Sequence, residues 1–394
     1  MKILCVGGGS GGHVTPVVAI ANAVSRLRPD ANIHLVTDKR FLSQARQLVG
    51  DSNISISTVA AGKLRRYANL KWYQHFQHLF VSYIPNVLDM FKIIIGIVQS
   101  NIKIIKFRPD VIFIKGGYVG LPVGLAAAIL WPRVPIVLHD SDASPGLTNR
   151  VLSRYAVQIA TAMPTEFYPY DAAKTKYVGM PIRDGIKPAS ARVKKELKTE
   201  LKFNPDAPLV LAMGGGQGSR SINRAVLAGY PQIKGHAEVI LMAGEKNLTE
   251  VKEVISQKPR DFIKLHTAGF VGGQRGIDIE RAADVAIIRA GATTLAEMAA
   301  LGMPTIIIPS PYLAADHQTK NAEVFVKSDA AIVITEDELN SSEILAQAVV
   351  GLLGDKKQQR ELSENIKKFD RADAAGEMAK IIIEVGDGGS TQKK

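Results

Sequence analysis

The sequence predicts an α/β protein of two domains, each built around a parallel β-sheet. The main observation is a repeated order of elements, in which a short apolar strand runs into a glycine-rich turn and then a helix, at residues 2–27 and again from residue 208. Further apolar runs, such as 110–114 and 283–288, also end in glycine-rich or ionisable loops. In an open parallel sheet the carboxyl ends of the strands meet at one edge, and ligands bind there.

The composition is that of a globular protein long enough for two domains. The chain has 394 residues, of which 46% are hydrophobic and 22% are charged. Its single cysteine, Cys5, falls in the first predicted strand, which excludes an internal disulfide and a site of several thiolates. Residues 1–6 run directly into a glycine loop, so no secretory signal is predicted. No apolar run reaches the ~18 residues that a membrane-spanning helix needs.

The excess positive charge lies in the first half of the chain. Residues 1–184 contain 21 Lys and Arg against 10 Asp and Glu, whereas residues 185–394 contain 28 against 27. We therefore expect an anionic partner for the first half only. The change in charge predicts domains at 1–185 and 186–370, followed by a helical tail at 371–394 that can pack back on the first domain. Residues 386–394 are polar and are expected to be disordered.

The first glycine turn, residues 7–12, leaves two functional interpretations open. It matches G-x-G-x-x-G between a strand and a helix, and Asp38 ends the next strand, which is the pattern of a nicotinamide or flavin oxidoreductase. His13 follows the turn, just before a helix expected to start at Pro16. A histidine there can act as a general base, because imidazole is largely neutral at neutral pH. Its structural alternative is a histidine that bonds to the backbone at the helix entry.

Residues 62–108 combine eight Lys and Arg with a single acid and several aromatic side chains. Nucleic acid and an anionic membrane both suit this character. We favour the membrane, because the later lysines are separated by long apolar runs, and we predict no nucleic-acid partner. Each basic residue near an anionic leaflet contributes about 1 kcal/mol. The alternative is a set of ordinary amphipathic helices with a solvated basic face. The predicted membrane-contacting residues are Lys63, Arg65, Arg66, Trp72, Phe76 and Phe80.

The second glycine turn predicts a cradle for a diphosphate. Four of its five residues are glycines, which lets backbone N–H groups approach a phosphate, and the dipole of the following helix favours negative charge. The residues of this turn and of the helix start are Gly214, Gly215, Gly216, Gln217, Gly218 and Ser219.

Glu297 lies in the motif RAGATTLAEMAALGMP and has two interpretations. It can close a capping box with Thr294, since Thr293 or Thr294 is expected to cap the helix. It can also accept hydrogen bonds from two adjacent sugar hydroxyls, as acidic residues do at nucleotide sites. The polar residues Asp316-His317-Gln318 follow the next predicted strand and belong to the same edge of the sheet.

A third polar loop, His139-Asp140-Ser141-Asp142, follows the apolar run at 135–138. His139 and Asp140 can share proton transfer or bind sugar hydroxyls. The alternative is a purely structural role, in which their side chains only cap the loop. The sequence contains no cluster of acids with the spacing of metal ligands. We therefore predict that neither a metal ion nor a cofactor is required.

Together these motifs resemble the inverting glycosyltransferases with two Rossmann-like domains facing across a cleft (GT-B type). Within them, the chain is most similar to the N-acetylglucosaminyltransferases of peptidoglycan synthesis. The resemblance extends from Met1 to about Ala322. The motifs that carry it are GGGSGGHVTP, GKLRRY, KGGYVGLP, HDSDASPGLTNR, MPIR, GGGQGSRSIN, RAGATTLAEMAALGMP and DHQTKNA.

The resemblance implies a donor, an acceptor and a location. The donor is UDP-N-acetylglucosamine, the acceptor is undecaprenyl-linked muramyl-pentapeptide, and the enzyme acts as a peripheral protein at the cytoplasmic face of the cell membrane. The acceptor hydroxyl attacks the anomeric carbon as UDP leaves from the opposite face. His13 is the first choice for the base and Asp140 the second.

The resemblance also assigns residues to each substrate. Glu297 takes the ribose hydroxyls, Phe270 and Val271 contact the uracil through their backbone, and His317 with Gln318 contacts the sugar. Donor-binding residues beyond the second glycine turn are Arg183, Phe270, Val271, Arg289, Gly291, Glu297, His317 and Gln318. Acceptor-binding residues are Gly11, Gly12, His13, Gly116, Gly117, Tyr118, His139 and Asp142.

Several positions depart from the usual pattern of that family. The pattern has His-Glu-Gln-Asn where this chain has HDSD at 139–142, asparagine where Met180 stands, and usually serine where Gly216 stands. The alternatives are a glycosyltransferase of the same fold with another lipid acceptor, an oxidoreductase that uses NAD or FAD, and a membrane-docked nucleotide sensor without catalysis.

Overall fold

The structure, a computed structural model, describes residues 1–8, 11–50, 52–64, 83–259, 262, 265–313, 316–341 and 343–391. The chain divides into two compact units. The first comprises Met1–Ile182 together with Asp373–Lys394, and the second comprises Arg183–Ala372. Each unit contains a parallel sheet with helices packed against it. The predicted class, α/β with two parallel-sheet domains, is therefore confirmed.

Within the described residues, the first unit forms a seven-stranded sheet in which every neighbouring pair is parallel. Every residue of the fourth and fifth strands is buried, as expected where helices cover both faces of a sheet. The strands are β1 (Lys2–Val6), β2 (Asn32–Thr37), β3 (Ser55–Thr58), β4 (Val111–Ile114), β5 (Ile136–Asp140), β6 (Gln158–Thr161) and β7 (Thr175–Tyr177). Their spatial order is β3-β2-β1-β4-β5-β6-β7.

The helices of the first unit connect these parallel strands. They are α1 (Gly11–Leu27), α2 (Leu42–Val49), α3 (Ile84–Phe107), α4 (Gly117–Leu130) and α5 (Leu147–Leu152). α3 packs against α4, and α4 packs against α5.

The second unit repeats this plan with a six-stranded parallel sheet among the described residues. Its strands are β8 (Leu209–Met213), β9 (Glu238–Met242), β10 (His266–Ala268), β11 (Val285–Ile288), β12 (Thr305–Ile307) and β13 (Ile332–Val333). Their spatial order is β10-β9-β8-β11-β12-β13. The helices are α6 (Ala191–Glu200), α7 (Arg220–Ile233), α8 (Leu248–Ser256), α9 (Gly273–Ala282), α10 (Ala292–Leu301), α11 (His317–Val326), α12 (Ile344–Gly354) and α13 (Lys356–Lys367).

The strand order of each sheet creates one crevice at its carboxyl edge. From β1 the chain first builds outward through β2 and β3 and then returns to place β4 on the other side. From β8 it builds through β9 and β10 and returns to place β11. A reversal of this kind leaves a crevice beyond the two central strands, where ligands of open α/β sheets bind. The crevices lie between β1 and β4 and between β8 and β11.

The last helix, α14 (Ala374–Thr391), packs on α1 within the first unit. Met378 and Ile382 are fully buried in the same apolar cluster as Val17 and Val24. The guanidinium of Arg28 forms an ion pair with Asp387 at 3.0 Å. Residues 386–394 were expected to be disordered. That prediction is wrong for residues 386–391, which continue the helix, and residues 392–394 lie outside the described residues.

Three predicted boundaries in the first unit are also wrong. α1 begins at Gly11, so Pro16 lies inside the helix rather than in its first turn. The buried side chains of Val14 and Val17 offset the backbone hydrogen bond that the proline cannot donate. The apolar run 123–129 predicts a helix that starts at residue 123, but α4 begins at Gly117. β5 continues through Asp140, which makes His139 and Asp140 strand residues.

None of the helices in the described part of the chain has the length and the uninterrupted apolarity that crossing a bilayer requires.

Replacing Ile382 with Ala should destabilise the first unit. Ile382 is fully buried between α14 and α1, and removal of a buried aliphatic side chain costs about 2–5 kcal/mol. We expect the transition of the first unit in a urea unfolding curve to shift to a lower urea concentration. Glu384→Ala, an exposed change on the same helix, is the matched control. Equal curves for both variants would show that α14 does not contribute to the folded unit.

Candidate functional site

The carboxyl edge of the second sheet collects most of the residues predicted to bind the donor. The glycine turn follows β8 directly, and Arg289 and Gly291 follow β11 directly. β8 and β11 are hydrogen-bonded neighbours, with Met213 opposite Ile288. Both loops therefore lie at the crevice of this sheet, where a ligand of an α/β protein is held.

The glycine turn depends on glycine for two different reasons. A Cβ at Gly214 would overlap the backbone nitrogen of Ser219, and a Cβ at Gly218 would overlap the carbonyl oxygen of Ala243. Gly215 and Gly218 also have φ values of +75° and +73°, which L side chains rarely adopt. Gly216 is different, because its nearest neighbour would be the Phe270 ring at 4.0 Å. The serine that is usual in the resembled family would therefore fit at this position.

Ser219 is the N-cap of α7. Its side chain accepts a hydrogen bond from the backbone nitrogen of Ile222 at 3.3 Å. The first N–H groups of a helix have no partner within it, and the helix dipole adds partial positive charge at this end. The turn and the helix start together form an anion-binding geometry of the kind that holds phosphate groups.

Arg289 braces this helix start from the neighbouring strand. Its guanidinium forms an ion pair with Glu336 and donates hydrogen bonds to Ser221 Oγ at 2.7 Å and to the carbonyl of Ile308 at 3.0 Å. Ser221 Oγ in turn lies 3.1 Å from Ser219 Oγ. Sequence reasoning missed Ser221 and Glu336. The predicted contact between Arg289 and a diphosphate stays a prediction, and its charge is already shared with Glu336.

Glu297 is buried inside α10, and the structure contradicts its interpretation as a capping residue. The N-cap of α10 is Gly291, with no side-chain cap, and Thr293 and Thr294 are already helical residues. The carboxylate instead accepts a hydrogen bond from Arg183 Nε at 2.7 Å through Oε1. Its second oxygen, Oε2, has no hydrogen-bond partner among the described residues.

A second carboxylate, Glu280 of α9, holds the other end of the same guanidinium. Arg183 Nη2 donates to both oxygens of Glu280, at 2.6 and 2.7 Å. Burial raises the pKa of Glu280 to about 7, the charge of Glu297 adds to the increase, and Arg183 opposes it. Burial lowers the pKa of Arg183, but the hydrogen bonds and charges of Glu297 and Glu280 outweigh that effect and raise the pKa above its ordinary value. One cation thus serves two buried carboxylates.

Phe270 and Val271 lie between β10 and α9, near the glycine turn. The backbone nitrogen of Phe270 donates to Glu245 Oε1 at 2.9 Å, so it is already engaged. Its ring is exposed, and it faces the open side of Gly216. The predicted backbone contact with uracil must therefore use other atoms of this segment or displace Glu245.

His317 and Gln318 begin α11, which is tied to the ends of two strands. Gln318 Oε1 accepts from the backbone nitrogen of Ser310, beyond β12, at 3.0 Å. Asn321, fully buried, donates to the carbonyl of Ala290, beyond β11, at 3.0 Å. His317 is half-buried in the first turn of the helix. These bonds fix the start of α11 at the same edge as Glu297 and the glycine turn.

The carboxyl edge of the first sheet carries the residues predicted to bind the acceptor. Gly11, Gly12 and His13 form the first turn of α1, beyond β1. Gly116 and Gly117 follow β4 and have φ values of +97° and +73°, which only glycine adopts without strain. Both segments lie at the crevice of this sheet.

Tyr118 and Asp38 form a hydrogen bond that bears on the oxidoreductase alternative. Tyr118 Oη donates to Asp38 Oδ2 at 3.0 Å, and Asp38 is buried. A dinucleotide site needs the carboxylate at the end of the second strand to be available to a ribose. Here that carboxylate is covered and already bonded.

His139 and Asp140 are the last residues of β5, and both are buried. His139 Nε2 is bonded to the carbonyl of Gly179 at 2.8 Å, and Asp140 Oδ2 accepts from Tyr170 Oη at 2.6 Å. Asp142 is only half-buried. Of the two acceptor-binding residues predicted in this segment, His139 and Asp142, the second is therefore the more accessible.

α3 exposes an apolar face along its whole length. Its buried face carries small and aliphatic residues, among them Ile93, Gly96 and Ile104. Lys92, which forms an ion pair with Asp89 at 2.8 Å, lies beside the apolar face. The exposed apolar side chains of the helix include Ile84, Val87, Leu88, Phe91, Ile94, Ile95, Val98, Ile102 and Ile105.

Most of the predicted membrane-contacting residues lie outside the described residues. Lys63 is exposed and lines a cavity of about 440 Å³ together with Lys39, Arg40 and Lys92. The remaining predicted residues, for which the structure gives no description, are Arg65, Arg66, Trp72, Phe76 and Phe80.

Comparison with known proteins agrees with this arrangement along most of the chain. The family model of the glycosyltransferase family 28 N-terminal domain matches residues 3–161, and that of the C-terminal domain matches residues 209–378. The crystal structure of MurG from Acinetobacter baumannii is similar in fold, with a TM-score of 0.72 at 20% identity over 97% of this chain and 99% of that one. The UDP-GlcNAc 2-epimerase of Neisseria meningitidis, bound to UDP-GlcNAc, has a TM-score of 0.62 at 12% identity over 98% and 99%.

Curated relatives match over nearly their full length. A protein of Limosilactobacillus reuteri is 33% identical over 387 residues, which is 97% of this chain and 98% of its own. It is named UDP-N-acetylglucosamine--N-acetylmuramyl-(pentapeptide) pyrophosphoryl-undecaprenol N-acetylglucosamine transferase. A protein of the same name from Thermoanaerobacter sp. (strain X514) is 32% identical over 385 residues, with 97% and 99% covered. This chain is therefore an enzyme that belongs to glycosyltransferase family 28.

Proposed function

We propose that this enzyme transfers N-acetylglucosamine from UDP-N-acetylglucosamine to the muramyl sugar of an undecaprenyl-pyrophosphate-linked muramyl-pentapeptide, converting lipid I to lipid II. The name shared by the relatives specifies this donor and this acceptor. The observation that carries the proposal is the crevice of the second sheet, where a capped helix start and its glycine turn share one edge with buried Glu297. The test is release of UDP with each of several lipid-linked acceptors. The acceptor for which release is fastest identifies the substrate, and a different lipid acceptor would support the alternative of the same fold.

The ribose of the donor is assigned to Glu297. Its Oε1 is held by Arg183, which fixes the carboxylate, whereas Oε2 has no partner among the described residues and can accept from adjacent hydroxyls. Arg183 donates to this carboxylate at 2.7 Å, so a cation accompanies the acid in its buried position. An ionised carboxylate forms stronger hydrogen bonds than a neutral acceptor does.

The diphosphate of the donor is assigned to the glycine turn and the start of α7. Negative charge grows on the diphosphate as UDP leaves. Fixed N–H groups and a helix dipole stabilise such charge without reorganising during the reaction. We propose that these groups act without a metal ion. Arg289, which is paired with Glu336, supports the helix start through Ser221, whose Oγ lies 3.1 Å from Ser219 Oγ.

The acceptor is assigned to the crevice of the first sheet, with His13 as the base. A hydroxyl of the muramyl sugar attacks the anomeric carbon, the bond to UDP breaks, and the configuration inverts. His13 lies in the first turn of α1, beyond a central strand of the sheet. Asp140, the second choice, is buried and bonded to Tyr170, which makes it a weaker choice for direct contact with the acceptor.

The membrane is assigned to α3 of the first unit, as a peripheral contact at the cytoplasmic face. An apolar face of this length is more than a soluble surface normally leaves uncovered. A helix with an apolar face and basic flanks lies in the interfacial plane of a bilayer. Lys92 and Lys106 supply the basic flank, and the lipid-linked acceptor places the substrate at the same surface.

Replacing Glu297 with Gln should weaken the binding of the donor. Hydrogen bonds to a charged group contribute about 1.5–3 kcal/mol, so we expect the Kd for UDP-N-acetylglucosamine, measured by calorimetry, to rise about 10- to 100-fold. Glu280→Gln is the matched control, because Glu280 shares Arg183 but is not assigned to the donor. Equal losses in both variants would mean that the effect acts through Arg183 and not through the ribose.

Replacing His13 with Ala should lower turnover about 10²- to 10⁴-fold, the usual contribution of a general base. The affinity for UDP should not change, because His13 and the donor residues belong to different sheets. UDP release under saturating substrates measures the effect, and His236→Ala, an exposed histidine of the second unit, is the control. An unchanged rate in His13→Ala would remove it from this role.

Introducing charge on α3 should release the protein from membranes. Phe91 and Ile94 are both more than half exposed on the apolar face, and burying such side chains contributes about 1.5–3 kcal/mol each. We expect Phe91→Glu with Ile94→Glu to reduce sedimentation with anionic vesicles by about tenfold or more. Val157→Glu changes an exposed apolar residue elsewhere in the same unit and should bind as the wild type does. Wild-type binding by the double variant would exclude this face.

A further inference from the structure

Lys115 is a fully buried lysine that the assignments above do not use. It follows β4 directly and is 1% exposed. β4 pairs with β5 so that Ile114 stands opposite Leu138, which brings Lys115 beside the last residues of β5. Its ammonium donates a hydrogen bond to Ser141 Oγ, the first residue after β5. Lys115 therefore joins two neighbouring strand ends at the acceptor crevice.

Two carboxylates flank this ammonium. Asp140 is buried at the end of β5, with Tyr170 Oη donating to its Oδ2 at 2.6 Å. Asp142, one residue beyond Ser141, is half-buried and interacts electrostatically with both Lys115 and Asp140. Asn149 of α5 closes the cluster, since its Nδ2 donates to the carbonyl of His139 at 3.1 Å and its side chain also bonds to Asp140.

The other titratable groups that face the cluster come from the segment before β7 and from α5. Tyr168 and Tyr170 interact with Asp140, and Arg150 interacts with Tyr170. Burial raises the pKa of both tyrosines, so they remain neutral hydroxyl groups at neutral pH. Among the described residues, Lys115 is the cation that interacts electrostatically with both carboxylates.

The charges of the cluster depend on each other. Burial lowers the pKa of Lys115 to about 8, and the charges of Asp140 and Asp142 oppose that decrease. Burial raises the pKa of Asp140 to about 6; Asp142 adds to the increase, while hydrogen bonds from Tyr170 and Asn149 and the charge of Lys115 oppose it. A buried charge without a partner is strongly unfavourable, so loss of the ammonium must be compensated by protonation of an acid or by movement of the loop.

We propose that Lys115 is a positioning residue for the acceptor. Its ammonium fixes the turn at Ser141 to the end of β4, and it places a positive charge near Asp140 and Asp142 at the crevice. This inference rests on the proposed function only in assigning that crevice to the acceptor.

The experiment compares the wild type with Lys115→Met, which keeps the length of the side chain and removes the charge. Removing the ammonium favours the protonated acid, so the pKa of Asp140 must increase. With ¹³C-labelled aspartate, NMR should show the Asp140 carboxyl titrating at a pH higher by up to about one unit, and Asp140→Asn assigns its signal. The acid limb of kcat/KM for the acceptor should move in the same direction, with a loss of about three- to tenfold below that limb. The Kd for UDP should not change.

Two further variants test the role of the Lys115 charge. Lys176→Met is the matched control, an exposed lysine of the same unit, and it should alter neither titration nor rate. If Lys115→Met fails to fold, the double variant Lys115→Met with Asp142→Asn is made, because it removes one charge of each sign. Recovery of folding by this double variant supports the proposed charge balance, and failure to fold overturns it.

An unchanged Asp140 titration in folded Lys115→Met overturns the proposal. A wild type that releases no UDP with any acceptor overturns the proposed function, while the NMR titration still decides the role of Lys115.

Discussion

The close packing of the backbone at Gly214 and Gly218 is the constraint on which the donor edge depends. Any side chain at either position would overlap Ser219 or Ala243, so the turn can approach the helix start only with glycine. The same approach brings Ser219 into its capping position and, through Ser221, within reach of Arg289 and Glu336. The anion-binding geometry is therefore a product of backbone packing, and the charged residues behind it hold that packing in place.

Each unit carries a cation that interacts with two acids beside its crevice, and of these two cations Lys115 is fully buried and Arg183 is partly exposed. In the second unit Arg183 lies between Glu280 and Glu297, and in the first Lys115 faces Asp140 and Asp142. Both clusters hold one positive charge against two negative ones, and burial raises the pKa of one acid in each. Such clusters contribute little to stability, because desolvation offsets the attraction. In the function proposed above, their role is to orient a carboxylate where a sugar hydroxyl must be recognised.

The sequence was sufficient to predict the class of the fold and some of the charged residues at each crevice. β1 matches its apolar run residue for residue, and the two glycine turns follow strands as predicted. Glu297 and Arg183 were both predicted at the donor site, but their ion pair was not, because they are 114 residues apart; Glu280, on another helix, was not predicted. No role was predicted for Lys115, the first residue of the motif KGGYVGLP. Only the pairing of β4 with β5 shows that it is buried near two acids. Contacts between distant segments depend on strand order, which local patterns do not encode.

The return of α14 to the first unit has a consequence for biosynthesis. The apolar surface of α1 around Val17 and Val24 is covered by residues near the carboxyl terminus, and the whole second unit is translated in between. During translation at about 5–20 residues per second, that surface stays uncovered until the last residues leave the ribosome. The nascent first unit therefore exposes apolar area for roughly ten to forty seconds, and a chaperone that binds apolar segments would have its longest opportunity there.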